Sequence, residues 1–152
     1  MANNTLNTKS AIVCSGALFY AKTTKRFLFL QRTQGKTART WGIVGGKQED
    51  SDSTTYESLK REVAEEIGFL PDIKKTIPLE LFVSNDDKFS YHTYLIIVDD
   101  EFIPKLNFEH SGWAWATMDL HPRPLHQGLR NTFSNKSIRS KLETVFDIID
   151  IL

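Results

Sequence analysis

The segment from Thr54 to Pro71 constrains this chain most, because it carries a start signal, a stop signal and one dominant period. Thr54-Thr55-Tyr56-Glu57 fits a capping box, in which the Thr54 hydroxyl satisfies a free N–H of the first turn and Glu57 reaches back to the Thr54 N–H. Gly68 tolerates positive φ and Pro71 cannot continue a helix, so the helix is expected to end near Ile67. At about 100° per residue with Glu62 at zero, Tyr56, Leu59, Val63 and Ile67 fall between about 60° and 140° and predict a buried stripe. Glu65, Glu62 and Glu66 fall at about 300°, 0° and 40°, so three carboxylates share one narrow face beside that stripe, with Arg61 at its edge near 260°.

Like charges at such spacings repel by a few tenths of a kcal/mol per pair in a solvated helix. Two compensations are open: Lys60, Arg61 and solvent, or a divalent cation. An oxygen-only cluster suits Mg²⁺ or Mn²⁺ rather than zinc, since no Cys or His stands at matching spacing. Such ions clamp phosphate oxygens and activate water, which points to phosphoanhydride hydrolysis.

The rest of the chain reads as alternating strands with a closing helix. Residues 11–21 and 27–31 predict two strands joined as a hairpin through Lys22 to Arg26. Thr33 to Thr40 is a loop, and the short apolar piece Trp41 to Val44 runs into Gly45-Gly46. Residues 79–84 and 90–98 predict strands around the turn Asn85-Asp86-Asp87-Lys88, and Trp113 to Thr117 a further one. Pro122 to Gly128 reads as a loop leading into a helix beside the pocket. Ile138, Leu142, Val145, Phe146 and Ile149 give residues 136–151 the period of an amphipathic helix. With 152 residues and no repeat or linker, one domain over 1–152 is expected.

Nineteen bases balance nineteen acids, so no net field draws the molecule to an anionic membrane or a nucleic-acid backbone. The balance hides segregation. Residues 1–48 hold eight Lys or Arg and no acid, residues 49–66 seven acids against two bases, and residues 67–152 twelve acids against nine bases. Cys14 is the only cysteine and stands in an apolar stretch, so it reads as core and no disulfide scaffold is implied. The apolar runs are far short of the roughly 20 residues that span a bilayer, and the N-terminus has no signal-peptide apolar region. A soluble, cytoplasmic protein is the expectation.

Gly45-Gly46-Lys47 followed by Arg61-Glu62-Val63-Ala64-Glu65-Glu66-Ile67-Gly68-Phe69 resembles the signature of the Nudix hydrolases, G-x5-E-x7-R-E-U-x-E-E-x-G-U with U apolar. The second half matches at every specified position. The first half departs from it: counted from Gly46 the Glu position holds Asp52, with one residue too many before Arg61, and counted back from Arg61 it holds Ser53. Val44 stands where many members have Pro.

The resemblance implies an α+β fold, the Nudix α/β/α sandwich with a mixed sheet between helices. It implies Mg²⁺-dependent (or Mn²⁺-dependent) cleavage of a pyrophosphate linkage in a nucleoside diphosphate joined to another group. Glu62, Glu65, Glu66 and the Gly46 carbonyl would then hold the cation, and Arg61 would brace the carboxylates. Glu109, on a loop shortly before a Trp-containing strand, corresponds to the further Glu that completes the site or acts as base. Arg32 leads the candidates for contact with substrate phosphates, with Arg39 and Lys47 beside it. The expected partner is a nucleotide-type small molecule, a capped RNA end among the candidates, rather than membrane or bulk nucleic acid. Of the family's substrate markers, a Pro about sixteen residues past the motif for ADP-ribose and a Tyr there for dinucleoside polyphosphates, neither is present in Asn85-Asp86-Asp87. A Nudix-like domain that binds a nucleotide without cleaving it is the alternative, motivated by the altered loop at Asp52.

Overall fold

Residues 11–151 are described by the structure, a computed structural model. Its centre is β1 (Ile12–Ala21), which pairs in parallel with β6 (Phe89–Val98) from Ile12↔Phe89 to Ala21↔Val98. β5 (Lys75–Val83) lies antiparallel outside β6, with an irregularity between Pro78 and Glu80. On the other side β2 (Arg26–Arg32) pairs with β3 (Trp41–Gly42) and β7 (His110–Ala116), and β4 (Val44–Lys47) pairs with β1. The sheet is therefore mixed.

Both faces of β1 are covered, which explains its unbroken apolar run: parallel strands buried on two sides lose the alternation of a one-sided sheet. Ala17, Phe19 and Ala21 meet Leu59, Val63 and Ile67 of α1 (Thr55–Ile67). Leu18, Tyr20, Leu95 and Ile97 point the other way, beneath Leu129 and Phe133 of α2 (Gln127–Ser134) and Ile138, Leu142 and Val145 of α3 (Lys136–Ile148). This is the expected α/β/α sandwich. Burying each Leu or Phe contributes about 1.5–3 kcal/mol, so the β1 alternation alone commits both helical layers to their faces.

α1 begins and ends where its signals predict. The Thr54 hydroxyl accepts from Glu57 N at 3.0 Å, and Gly68, at φ 91°, donates its N–H to Ala64 O. The Glu57 carboxylate goes to Lys60 at 3.0 Å rather than back to Thr54, so half of the capping box forms.

The hairpin expected between β1 and β2 pairs only at its turn, Tyr20↔Phe27 and Ala21↔Arg26. Beyond it the strands part, and β4 takes the freed edge of β1 through Gly16↔Gly45. Glycine is required at Gly45, because a Cβ would meet the Ser15 carbonyl and sit 2.9 Å from Gly16 Cα. β5 starts at Lys75 instead of 79, since its outer position tolerates Pro78. β7 starts at His110 instead of 113. The closing helix ends at Ile148 with a 3-10 turn over Ile149–Ile151. Among the described residues no helix is long and apolar enough to cross a membrane.

Candidate active site

Glu66 lies only about 20° from Leu59 around α1, so the helix that buries Leu59 also buries Glu66. Its side chain is 1% exposed. Gly45 N–H donates to Glu66 Oε1 at 3.3 Å, while among the described residues no donor reaches Oε2. His110 Nδ1, also buried and unpartnered, stands 3.9 Å from Oε1. Burial first, then the neighbouring Glu62, push the Glu66 carboxyl up to about 9. Burial, with Arg32 adding to it, holds the His110 imidazole down at about 4. Both groups are therefore neutral near pH 7 without a bound cation, and their proximity is not an ion pair.

Glu62, one turn earlier, presses its carboxylate against Gly46, where a Cβ would overlap it. Burial raises its pKa as well. Arg61 organises the rest. Its Nη1 donates to Glu62 Oε1 at 2.9 Å and to Glu65 Oε1 at 3.0 Å, and Nη2 donates to the Lys47 carbonyl at 3.1 Å. Nε and Nη2 together grip both oxygens of Asp52, at 3.1 and 3.0 Å, and Glu49 lies 3.3 Å from Nη1. The Arg61 fork and the Glu49 N–H hold Asp52 below the usual carboxylate range. Asp52, not Ser53, is thus the loop residue bonded to the motif arginine.

A cavity of about 760 Å³ opens on the α2 side of the sheet, and Glu62, Glu65 and Glu66 do not line it: Glu66 and Glu62 sit behind Gly45 and Gly46. Gly45 and Gly46 form part of its wall, and Arg32 and Glu109 enter it from the end of β2 and the turn before β7. Glu109 is exposed and adds to the rise of Glu66. Arg39 and Lys47 do not line the cavity: Arg39 sits at a left-handed turn (φ 69°), and Lys47 contributes its carbonyl to Arg61.

Sequence reasoning misses His110, although its place next to Glu109 at the head of the Trp strand is the one available signal. Tyr91 stands out in the sequence only as one of several aromatics; its ring fills the space over Gly16 and Gly45 that any Cβ would occupy. Glu80 and Thr132, which also line the cavity, carry no sequence signal.

The donor set fits a hard divalent cation. A buried carboxylate oxygen without a partner is costly unless it meets a proton or a cation, and Glu66 Oε2 is such an atom. Among the described residues no three His, Cys, Asp or Glu side chains converge as a ready-made cage, because Arg61 holds Glu62 and Glu65 to itself.

The family profile described as NUDIX domain matches residues 13–135. No curated protein matches the sequence. Among solved structures, a MutT NUDIX hydrolase from Burkholderia pseudomallei is similar with TM-score 0.64 and 20% identity, over 83% of this chain and 98% of that one. The NUDIX domain of Shewanella oneidensis NrtR, complexed with ADP ribose, gives 0.69 and 16% over 87% and 88%. A C. elegans Ap4A hydrolase in a binary complex gives 0.62 and 16% over 93% and 100%. At these identities the structural likeness speaks for the fold.

Proposed function

The chain belongs to the Nudix family, and from that premise we propose that it hydrolyses a pyrophosphate linkage in a nucleoside diphosphate joined to a second group, with Mg²⁺ or Mn²⁺. The observation that carries this reading is the pairing of buried Glu66, with its free oxygen, and Glu62 under Gly46 at the wall of one large cavity. Neighbours named for ADP ribose and Ap4A, both nucleoside-phosphate derivatives, support the class.

Glu62, Glu65, Glu66 and the Gly46 carbonyl would hold the cation, which when bound supplies charge neutralisation at phosphate oxygens and a more acidic water. The chain's own residues do the remainder. Asp52 fixes Arg61, and Arg61 fixes the Glu62 and Glu65 carboxylates, so the cluster is oriented before substrate arrives. Arg32 meets the phosphates from the end of β2, in register with His110. Glu109, exposed at the rim, accepts the proton of the attacking water at its carboxylate. The alternative of a non-cleaving domain draws on the altered loop; with Asp52 seated on Nε and Nη2 of Arg61, that loop gives it no support.

The test is a product-resolved screen of nucleoside triphosphates, oxidised nucleotides, dinucleoside polyphosphates, nucleotide sugars, ADP-ribose and capped RNA, with Mg²⁺ and with chelator. Turnover is expected with Mg²⁺ only, and Glu65→Gln should remove most of it in a folded protein. A folded Glu65→Gln variant with undiminished turnover would overturn the assignment.

A further inference from the structure

The cavity floor has a polarity along it. Glu80 of β5 pairs with Thr93, Thr93 with Gly16, and Gly16 with Gly45, so one row of residues crosses four strands. At about 4.8 Å per strand, Glu80 and the Gly45 amide that serves Glu66 lie about 14 Å apart, the scale of an extended nucleoside diphosphate. Between them the floor is formed by Thr93 and by the Tyr91 ring, which lies over Gly16 and Gly45.

At the far end stands a carboxylate with aromatic neighbours. Thr132 of α2 donates to Glu80 Oε1 at 2.6 Å, and among the described residues no donor reaches Oε2. Phe82 and Phe89 lie beside it with ring centroids 6.2 Å apart, and Phe82 is 53% exposed, an open apolar face on the cavity wall. Arg32, the cationic side chain that lines the cavity, belongs to β2 at the other end. An acceptor-only group there repels phosphate and selects a flat, neutral ligand edge that offers donors. Asn131, the residue before Thr132, has its carbonyl oxygen taken by Gln127 at 2.8 Å, which leaves its NH₂ to donate.

We propose that this end of the cavity selects guanine, making the substrate a guanosine diphosphate derivative. Guanine presents N1–H and its 2-amino group as adjacent donors for Glu80, with O6 alongside for the Asn131 NH₂. Adenine places the N1 lone pair against the carboxylate. The inference rests on the reading that the cavity takes a nucleotide, but not on cleavage.

The test is calorimetric titration of the full chain in Mg²⁺ with GDP, IDP, ADP and 2′-deoxy-GDP, each as its α,β-methylene analogue, which lacks the cleavable linkage. GDP is expected to bind about 10- to 150-fold more tightly than ADP, with IDP between them and 2′-deoxy-GDP close to GDP. Glu80→Gln should weaken GDP and compress the GDP-to-ADP ratio at least about tenfold. Asn131→Ala, at an exposed position, should weaken GDP and IDP alike and spare ADP. Equal binding of GDP and ADP by the wild type, no GDP binding, or a uniform loss across all four ligands in Glu80→Gln would overturn the proposal. So would a loss with 2′-deoxy-GDP as large as that with ADP, which would make the ribose diol the group read by Glu80. Selective GDP binding by a protein that cleaves nothing keeps the guanine site and removes the hydrolase reading; cleavage without base preference does the reverse.

Discussion

Raising the pH should destabilise the cation-free protein, and Glu66→Gln should largely remove that dependence. In the fold, burial and then Glu62 push the Glu66 carboxyl from 4.5 to about 9. Between those values the folded protein keeps a proton that the unfolded chain has released, so stability falls as pH rises and the loss completes above about pH 9. At about 1.4 kcal/mol per unit, a shift of this size held by one group caps the loss on the order of 6 kcal/mol. Glu62 shares the proton through its contact with Glu66, so the loss is spread over two macroscopic steps. His110 acts in the opposite sense at the acid end. Burial holds it near 4 against 6.5 when unfolded, so its contribution is present above about pH 6.5 and is lost as pH falls toward 4. Urea unfolding in chelator from pH 5 to 9 should therefore give a broad stability maximum between about pH 5 and 6, where the two slopes nearly cancel. The midpoint of the wild type should then decline steadily while that of Glu66→Gln stays nearly level. Mg²⁺ replaces the proton, so its stabilising effect should grow with pH. Parallel pH curves for wild type and variant would refute the reasoning, because the titrating group would then lie elsewhere.

The geometry around the carboxylates and the α1 cap sets three further outcomes. Gly46→Ala puts a Cβ into the Glu62 carboxylate and should lower kcat by about 10²-fold or more; thermal unfolding should show the fold retained. Arg61→Lys keeps the charge but loses the fork that joins Asp52 to Glu62 and Glu65, so kcat should fall by about 10²-fold with KM changed less. Thr54→Ala removes the cap on the Glu57 N–H and should cost about 1 kcal/mol in denaturant unfolding without touching the cavity.

The features legible in the sequence are those that lie within one element. The period and caps of α1 define its span, and the angle between Glu66 and Leu59 already contains the burial of Glu66. The parting of β1 from β2 is not legible, because it depends on backbone approach between Gly16 and Gly45, 29 residues apart along the chain. The choice between Asp52 and Ser53 needs the loop path, which only the bonds to Arg61 and Glu49 define. The far wall is the least accessible: Glu80 and Thr132 meet across 52 residues, and each alone is an ordinary surface type. Local periodicity carries no information about pairs that only tertiary packing joins.

The charge segregation along the chain bears on the cation requirement once the side chains are placed. Of the bases in the acid-free stretch 1–48, Arg32 lines the cavity, whereas Arg39 and Lys47 do not. Glu80 and Glu109 line the same cavity, with Glu62 and Glu66 behind Gly45 and Gly46. His110, held neutral, adds no positive charge near pH 7. Glu66 is protonated near pH 7 without a cation and Arg61 offsets Glu62, so a pyrophosphate group in this wall would meet the Arg32 guanidinium against the carboxylates of Glu80 and Glu109. On the proposed reading a divalent cation on the side of Glu62 and Glu66 would add positive charge there, and the unpartnered Glu66 Oε2 is the atom left to hold it. Among the described residues, the charge segregation therefore bears on the proposed cation dependence through the Arg32 guanidinium that it brings to the cavity.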